Sequence, residues 1–192
     1  MEGTKKLKRS EQAAATKAAL TESALRLFAE RGYDNVSIAD ICGSVGVTVG
    51  VFYHYFSTKS GVYKELSLSM DERIRAFEPK SKNALGKIAE ILHCYAEITR
   101  DIGVDTMSVI LTPANKLIYT NNLSAKLIRR IIEEGQQSGE VSDAATPLNQ
   151  MRLIYSSLWG VVLFWCSEGG GFDLVEGIDN AVQTALLALE PR

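Results

Sequence analysis

Phe52, Tyr53, His54, Tyr55 and Phe56 follow one another without a break, and Lys59 stands four positions beyond Tyr55. Helical neighbours on one face lie three and four apart, so five consecutive rings must point in several directions. Phe52 and Phe56 suit a common buried side, which leaves Thr48, Val49, Val51, Tyr53 and His54 to project elsewhere. The chemistry on offer is hydrogen bonding by hydroxyls, an imidazole and an ammonium. Catalysis finds little material: there is no GxSxG, HExxH or GxxxxGK run and no histidine set among paired carboxylates. With two histidines in the chain, His93 beside Cys94 is too sparse for zinc, so neither a metal nor a cofactor is expected. Cys42, Cys94 and Cys166 are odd in number and form no CxxC pair, which argues for free buried thiols. A redox role for Cys94 or Cys166 would need a neighbouring base to lower the thiol pKa, and none is visible beside them.

The elements that position these residues are helices, because apolar spacing of three and four recurs almost throughout and no sustained alternation argues for a sheet. The expected fold is all-α with about nine helices. The first runs from about Ser10 to Arg31 with Leu20, Ala24, Leu27 and Phe28 inward, and Gly32 stops it. The second starts behind the cap Ser37 and ends at Gly46; the third runs from the cap Thr48 to about Tyr55. A fourth runs from behind Ser57 towards Phe77, where Pro79 breaks it. Further segments are expected at 82–100, 105–111, 122–138, 147–167 and 173–189, separated by Gly103, Pro113, Gly139 and the triple glycine 169–171.

Two short helices separated by a turn at Gly46 have the dimensions of a helix-turn-helix. Ala39 is small where the helices would cross, Gly46 can take the left-handed conformation, and Val47 and Phe52 can fill the wedge between them. The run LRLFAERGYDNVSIADICGSVGVTVGVFYHYFSTKSGVYKEL, residues 25–66, resembles the N-terminal DNA-binding domain of the TetR family of transcriptional regulators. The resemblance rests on Leu27-Phe28 with Glu30, Gly32 and Tyr33, then Ser37-Ile38-Ala39 with Ile41, then Gly46-Val47-Thr48, and finally Phe52-Tyr53, Tyr55-Phe56 and Lys59. Tyr55 replaces a commoner His and Cys42 a commoner Ala.

That resemblance implies a recognition helix whose leading edge, Thr48, Val49, Gly50 and Val51, enters the major groove of a double-stranded operator. It implies phosphate contacts from Tyr53, Tyr55, Lys59 and Ser37, and a phosphate or base-edge contact from His54. Each tyrosine equally admits a packing role, and Lys59 a solvated one. The basic tail fits the same partner or a merely solubilising end: residues 1–9 carry four bases against one acid, in a chain of net charge −2.

The expected division is a DNA-binding domain at 1–58 and an effector-binding and dimerisation domain at 59–192. A base reader this short needs symmetry, and a homodimer offers two recognition helices about 34 Å apart. The last two helices are the candidate interface, through Leu153, Ser156, Ser157, Gly160 and Val161 and through Ala181, Ala185, Leu186 and Leu189. By resemblance, an effector cavity lies between about 60 and 168. His93, Tyr95, Met107, Ile110, Tyr119, Ile131, Tyr155, Trp159 and Trp165 are candidate lining residues for an apolar or aromatic small molecule, each of which core packing would also explain. At 46% hydrophobic and 23% charged residues, with no apolar run of membrane-spanning length and no secretory signal, the chain is expected to be cytoplasmic, with no membrane partner. The rivals to a ligand-responsive repressor are an enzyme, disfavoured by the missing motifs, and a helical carrier with a vestigial DNA element.

Overall fold

The computed structural model describes residues 2–111 and 123–191, with side chains from residue 11 onward. Nine helices and no strand lie among the described residues: α1 (Glu2–Arg31), α2 (Ile38–Val45), α3 (Val49–Tyr55), α4 (Gly61–Ala76), α5 (Ala84–Ile102), α6 (Val104–Ile110), α7 (Leu123–Ser138), α8 (Pro147–Ser167) and α9 (Leu174–Leu187). The fold is all-α, as the spacing predicts. The helices form two compact units, Met1–Leu66 and Ser67–Arg192, with α4 continuous across the junction.

In the first unit α1 packs on α2 and α2 on α3. Leu20, Ala24, Phe28, Ile41, Phe52 and Val62 form its fully buried centre. Sealing a large apolar side chain from water is worth about 1.5–3 kcal/mol, and the two phenylalanines of the ring cluster, Phe52 and Phe56, are both buried. They hold α3, which at seven residues is far too short to persist alone and whose N-cap, Thr48, makes no side-chain cap bond. The preceding helix is better finished. Ser37 and Asp40 form a reciprocal capping box at its start, and Gly46, at φ +75°, ends it in a conformation that side chains with a Cβ rarely adopt. Ala39 is exposed and is not packed at the expected crossing of α2 with α3; α2 and α1 are joined by a hydroxyl–hydroxyl bond between Ser44 and Ser23.

In the second unit α5 packs on α6, α7 and α9, and α8 on α6, α7 and α9. Leu92, Ile128, Ile154, Leu158 and Ile178 lie fully inside. Gly135 in α7 is pressed so close to the following loop that a Cβ there would meet Val141 Cγ2 at 2.5 Å and Ala84 Cβ at 3.0 Å. At the start of α7, the Leu123 N–H donates to Asp71 Oδ1 of α4 at 3.0 Å, so a carboxylate on one helix caps another. Ala185, Leu186 and Leu189, expected at an intermolecular surface, are instead buried within this unit, because α9 turns those positions towards α5 and α8. The large apolar residues that face outward on α8 and α9 are Leu153, Leu163, Phe164 and Leu187.

Candidate nucleic-acid interface

The buried pair Phe52 and Phe56 decides what α3 shows to solvent. Thr48, Val49 and Gly50 at its leading edge are exposed, as are Tyr53 and His54; Val51 and Tyr55 are half-buried. Tyr53 is 55% exposed, with its ring edge-on to Phe52 at 5.9 Å, so packing fixes its base and leaves its hydroxyl outward. His54 and Tyr55 lie edge to face at 5.0 Å. The Thr48 hydroxyl, unused as a cap, is available to a partner. Hydroxyl donors, an imidazole and small apolar tips therefore share one outward surface. That surface can donate to phosphate oxygens and touch base edges, with no acid on the helix itself to oppose it.

Two of the expected phosphate contacts are spent inside the protein. The Ser37 hydroxyl donates to Asp40 Oδ2, and the same bonds hold the Asp40 carboxyl below its ordinary range, which keeps an anion at that spot. The Lys59 ammonium donates to the Tyr33 carbonyl at 2.6 Å and to the Val36 carbonyl at 2.8 Å. It also stands 4.1 Å from the centroid of the Tyr33 ring and 5.9 Å from that of Phe28. Lys59 thus ties the α3–α4 turn to the α1–α2 turn, with one ammonium proton left for an outside acceptor. Nothing in the sequence marked this, since the two carbonyls lie more than twenty residues upstream.

In the second unit a cavity of about 640 Å³ runs along α8 beside the end of α6. Of the residues expected to line it, Tyr155 and Trp159 do. Tyr95 packs edge-on to Trp159 at 6.2 Å but is itself core, as are Met107, Ile110 and Trp165; Ile131 is half-buried and does not border it. His93 is not a lining residue: it is on the surface, with Nδ1 2.8 Å from Asp179 Oδ2 of α9. Tyr119 lies outside the described residues. The lining that sequence reasoning missed is Leu111, Leu148, Met151 and Leu163, with Gly160 and the polar Arg152 and Ser156. The available signal was α8 itself, which has apolar residues on more faces than one core can use. The Tyr155 hydroxyl donates to Ser124 Oγ at 2.6 Å, and burial pushes the phenols of Tyr155 and Tyr95 well above the ordinary range. Burial likewise raises the thiols of Cys42, Cys94 and Cys166, the reverse of what an activated sulfur needs. Among the described residues no cluster of three potential metal ligands occurs, and no helix is long and apolar enough to cross a membrane.

Comparison with known proteins agrees with this geometry. Residues 20–66 match the profile described as "Bacterial regulatory proteins, tetR family". The HTH-type transcriptional regulator TtgR of Pseudomonas putida is 27% identical over 209 residues, covering 94% of this chain and 95% of that protein. Among solved structures, the fatty acid degradation regulator FadR from Bacillus halodurans is similar at TM-score 0.72 and 18% identity, covering 92% of this chain and 97% of that one. SmeT in its complex with triclosan is similar at TM-score 0.69 and 17% identity, covering 92% of each chain. The named relatives are regulators and not enzymes. The matched profile spans the helices that present Thr48 to Tyr55, and the fold beyond it is similar to that of these regulators: residues 20–66 form a DNA-binding domain of the tetR family of bacterial regulatory proteins.

Proposed function

We propose that the protein represses transcription by binding a palindromic operator as a homodimer, and that a small apolar or aromatic effector held by the second unit releases it. The observation that carries this reading is the outward surface of α3, where Thr48, Tyr53 and His54 keep their polar groups free while Phe52 and Phe56 anchor the helix from behind. Thr48, Val49, Gly50 and Val51 then read bases, and Tyr53, Tyr55, His54 and the remaining proton of Lys59 hold phosphates. Ser37, whose hydroxyl and N–H both donate to Asp40, caps α2 and drops out of the phosphate set.

Dimerisation through α8 and α9 is supported by the outward Leu153, Phe164 and Leu187, which are large apolar residues open to water in a single chain. Effector binding is supported by the cavity along α8. A route from that cavity to DNA is supported by bonded neighbours: Tyr155 to Ser124 near the start of α7, Leu123 to Asp71 on α4, and α4 running on into the first unit. TtgR is an HTH-type transcriptional regulator and SmeT, of similar fold, is solved in complex with triclosan, so a small-molecule response here follows by analogy.

Selection from a random double-stranded DNA library tests the reading. The expected product is an inverted repeat whose half-sites lie about one helical turn apart, bound with a steep inverse dependence on salt. Enrichment of an unrepeated site by a monomeric protein would overturn the dimer and the palindrome together. A reporter whose promoter overlaps the selected site should fall when the protein is expressed; a rise would make it an activator.

A further inference from the structure

We infer that the α8 cavity is built for a monoanionic amphiphile, a molecule with one carboxylate-type head and an apolar body, whose head pairs with Arg152. This rests on the reading that the second unit binds an effector, and it narrows that effector from any apolar guest to one carrying a single negative charge.

The lining is apolar along one side, through Leu148, Met151, Tyr155 and Trp159, and carries one cation, Arg152, with no acid among the described lining residues. Leu148, Arg152, Tyr155 and Trp159 follow one another at helical spacings of three and four, so the guanidinium borders the same groove as the apolar stripe. Its charge is uncompensated. Arg26, Arg73, Arg100 and Arg130 each pair with a carboxylate within 3.3 Å, whereas Arg152 makes no ion pair among the described residues. An exposed arginine alone would be ordinary. One that borders an apolar cavity of about 640 Å³ gives that space a positive potential and a planar fork matched to two carboxylate oxygens. A cavity of this size takes a guest of drug-like dimensions, on the order of twenty non-hydrogen atoms. A single guanidinium balances one charge, which favours a carboxylate over a doubly charged phosphate ester. A cationic guest would meet Arg152 with repulsion.

Trp159 lines the cavity, and Trp165, the other tryptophan, is buried outside it, so a Trp165→Phe background leaves indole emission as a reporter of occupancy. The probes are decanoate, decanol and decyltrimethylammonium, each below its micelle-forming concentration. Decanoate is expected to bind at least about tenfold more tightly than decanol, and the ammonium most weakly, since one charge-assisted pair supplies that margin. Arg152→Gln should bring decanoate to the level of decanol while leaving decanol unchanged. Ser156→Phe, which places a ring in the groove from an exposed position, should abolish both, with sedimentation checking that assembly is retained. Equal binding of decanoate and decanol, or decanoate binding insensitive to Arg152→Gln, overturns the anionic preference and leaves the effector reading standing. Unaltered binding in Ser156→Phe moves the probes elsewhere and overturns the site. No emission change with any probe overturns both readings.

Discussion

Replacing Lys59 by methionine keeps the aliphatic stem and removes the ammonium that joins two turns of the DNA-binding unit. In the native chain that ammonium makes hydrogen bonds of 2.6 and 2.8 Å to the carbonyls of Tyr33 and Val36 and lies 4.1 Å from the centre of the Tyr33 ring. Bonds from a charged donor are worth about 1.5–3 kcal/mol each, and a cation over an aromatic face about 0.5–1 kcal/mol more. Lys59 is only half-buried and water can take over the stranded carbonyls, so the expected loss is about 2–3 kcal/mol in all. For a chain of this length that lowers the thermal midpoint by about 5–10 °C. The assay pairs thermal unfolding by circular dichroism with the salt dependence of operator binding. A lysine that served only as a phosphate contact would leave the midpoint alone and reduce the slope of log affinity against log salt by about 0.9. Lys59→Arg separates the two roles. It keeps the charge, but its flat fork does not bring one nitrogen to both carbonyls, so it should retain the salt slope and still melt early. An unchanged midpoint in Lys59→Met, together with a slope lowered by about 0.9, would show that the internal clamp has no energetic weight and would refute the reasoning.

Tyr53→Phe should weaken binding to all DNA sequences by about 0.5–1.5 kcal/mol, whereas Val49→Ala should change which sequence is selected; comparing affinity on the selected site with affinity on scrambled DNA distinguishes them. Phe164→Glu, at a position 65% exposed, should convert dimer to monomer in sedimentation without altering helix content, and a persistent dimer would move the interface off α8. Gly135→Ala should destabilise the second unit by about 1–3 kcal/mol in denaturant unfolding, because the added methyl has no room between Val141 and Ala84.

The parts of this molecule legible in sequence are those set by local periodicity and by turn chemistry. Helix ends were marked by Ser37, Gly46 and Thr146, residues that cap by their own side chains or by a left-handed backbone, and each does so in the structure. The division of the ring cluster, with Phe52 and Phe56 inward and Tyr53 and His54 outward, followed from spacing alone. What failed to show was everything that depends on which distant segment a side chain meets. Lys59 reads as a surface lysine or a phosphate ligand until Tyr33 and Val36 are brought beside it. His93 looked like a polar tip in an apolar helix until Asp179 appeared across from it on α9. Ala185 and Leu186 belong to an apolar stripe in either case, and only the packing of α9 shows that the stripe is used internally while Leu187 is left outside. Arg152 was invisible as a lining residue because charge on a greasy helix reads as the solvated side.

The brevity of α3 limits how its specificity can be moved. A helix of two turns without a side chain closing its first amides owes its existence to the two phenylalanine rings lodged beneath it. A synthetic peptide copied from residues 48–56 should therefore be unstructured and blind to the operator. Transplanting only the solvent-facing letters onto another scaffold would carry the vocabulary without the grammar. To redirect such a regulator to a new site, the outward residues can be exchanged freely as long as Phe52, Phe56 and the turn at Gly46 travel with them.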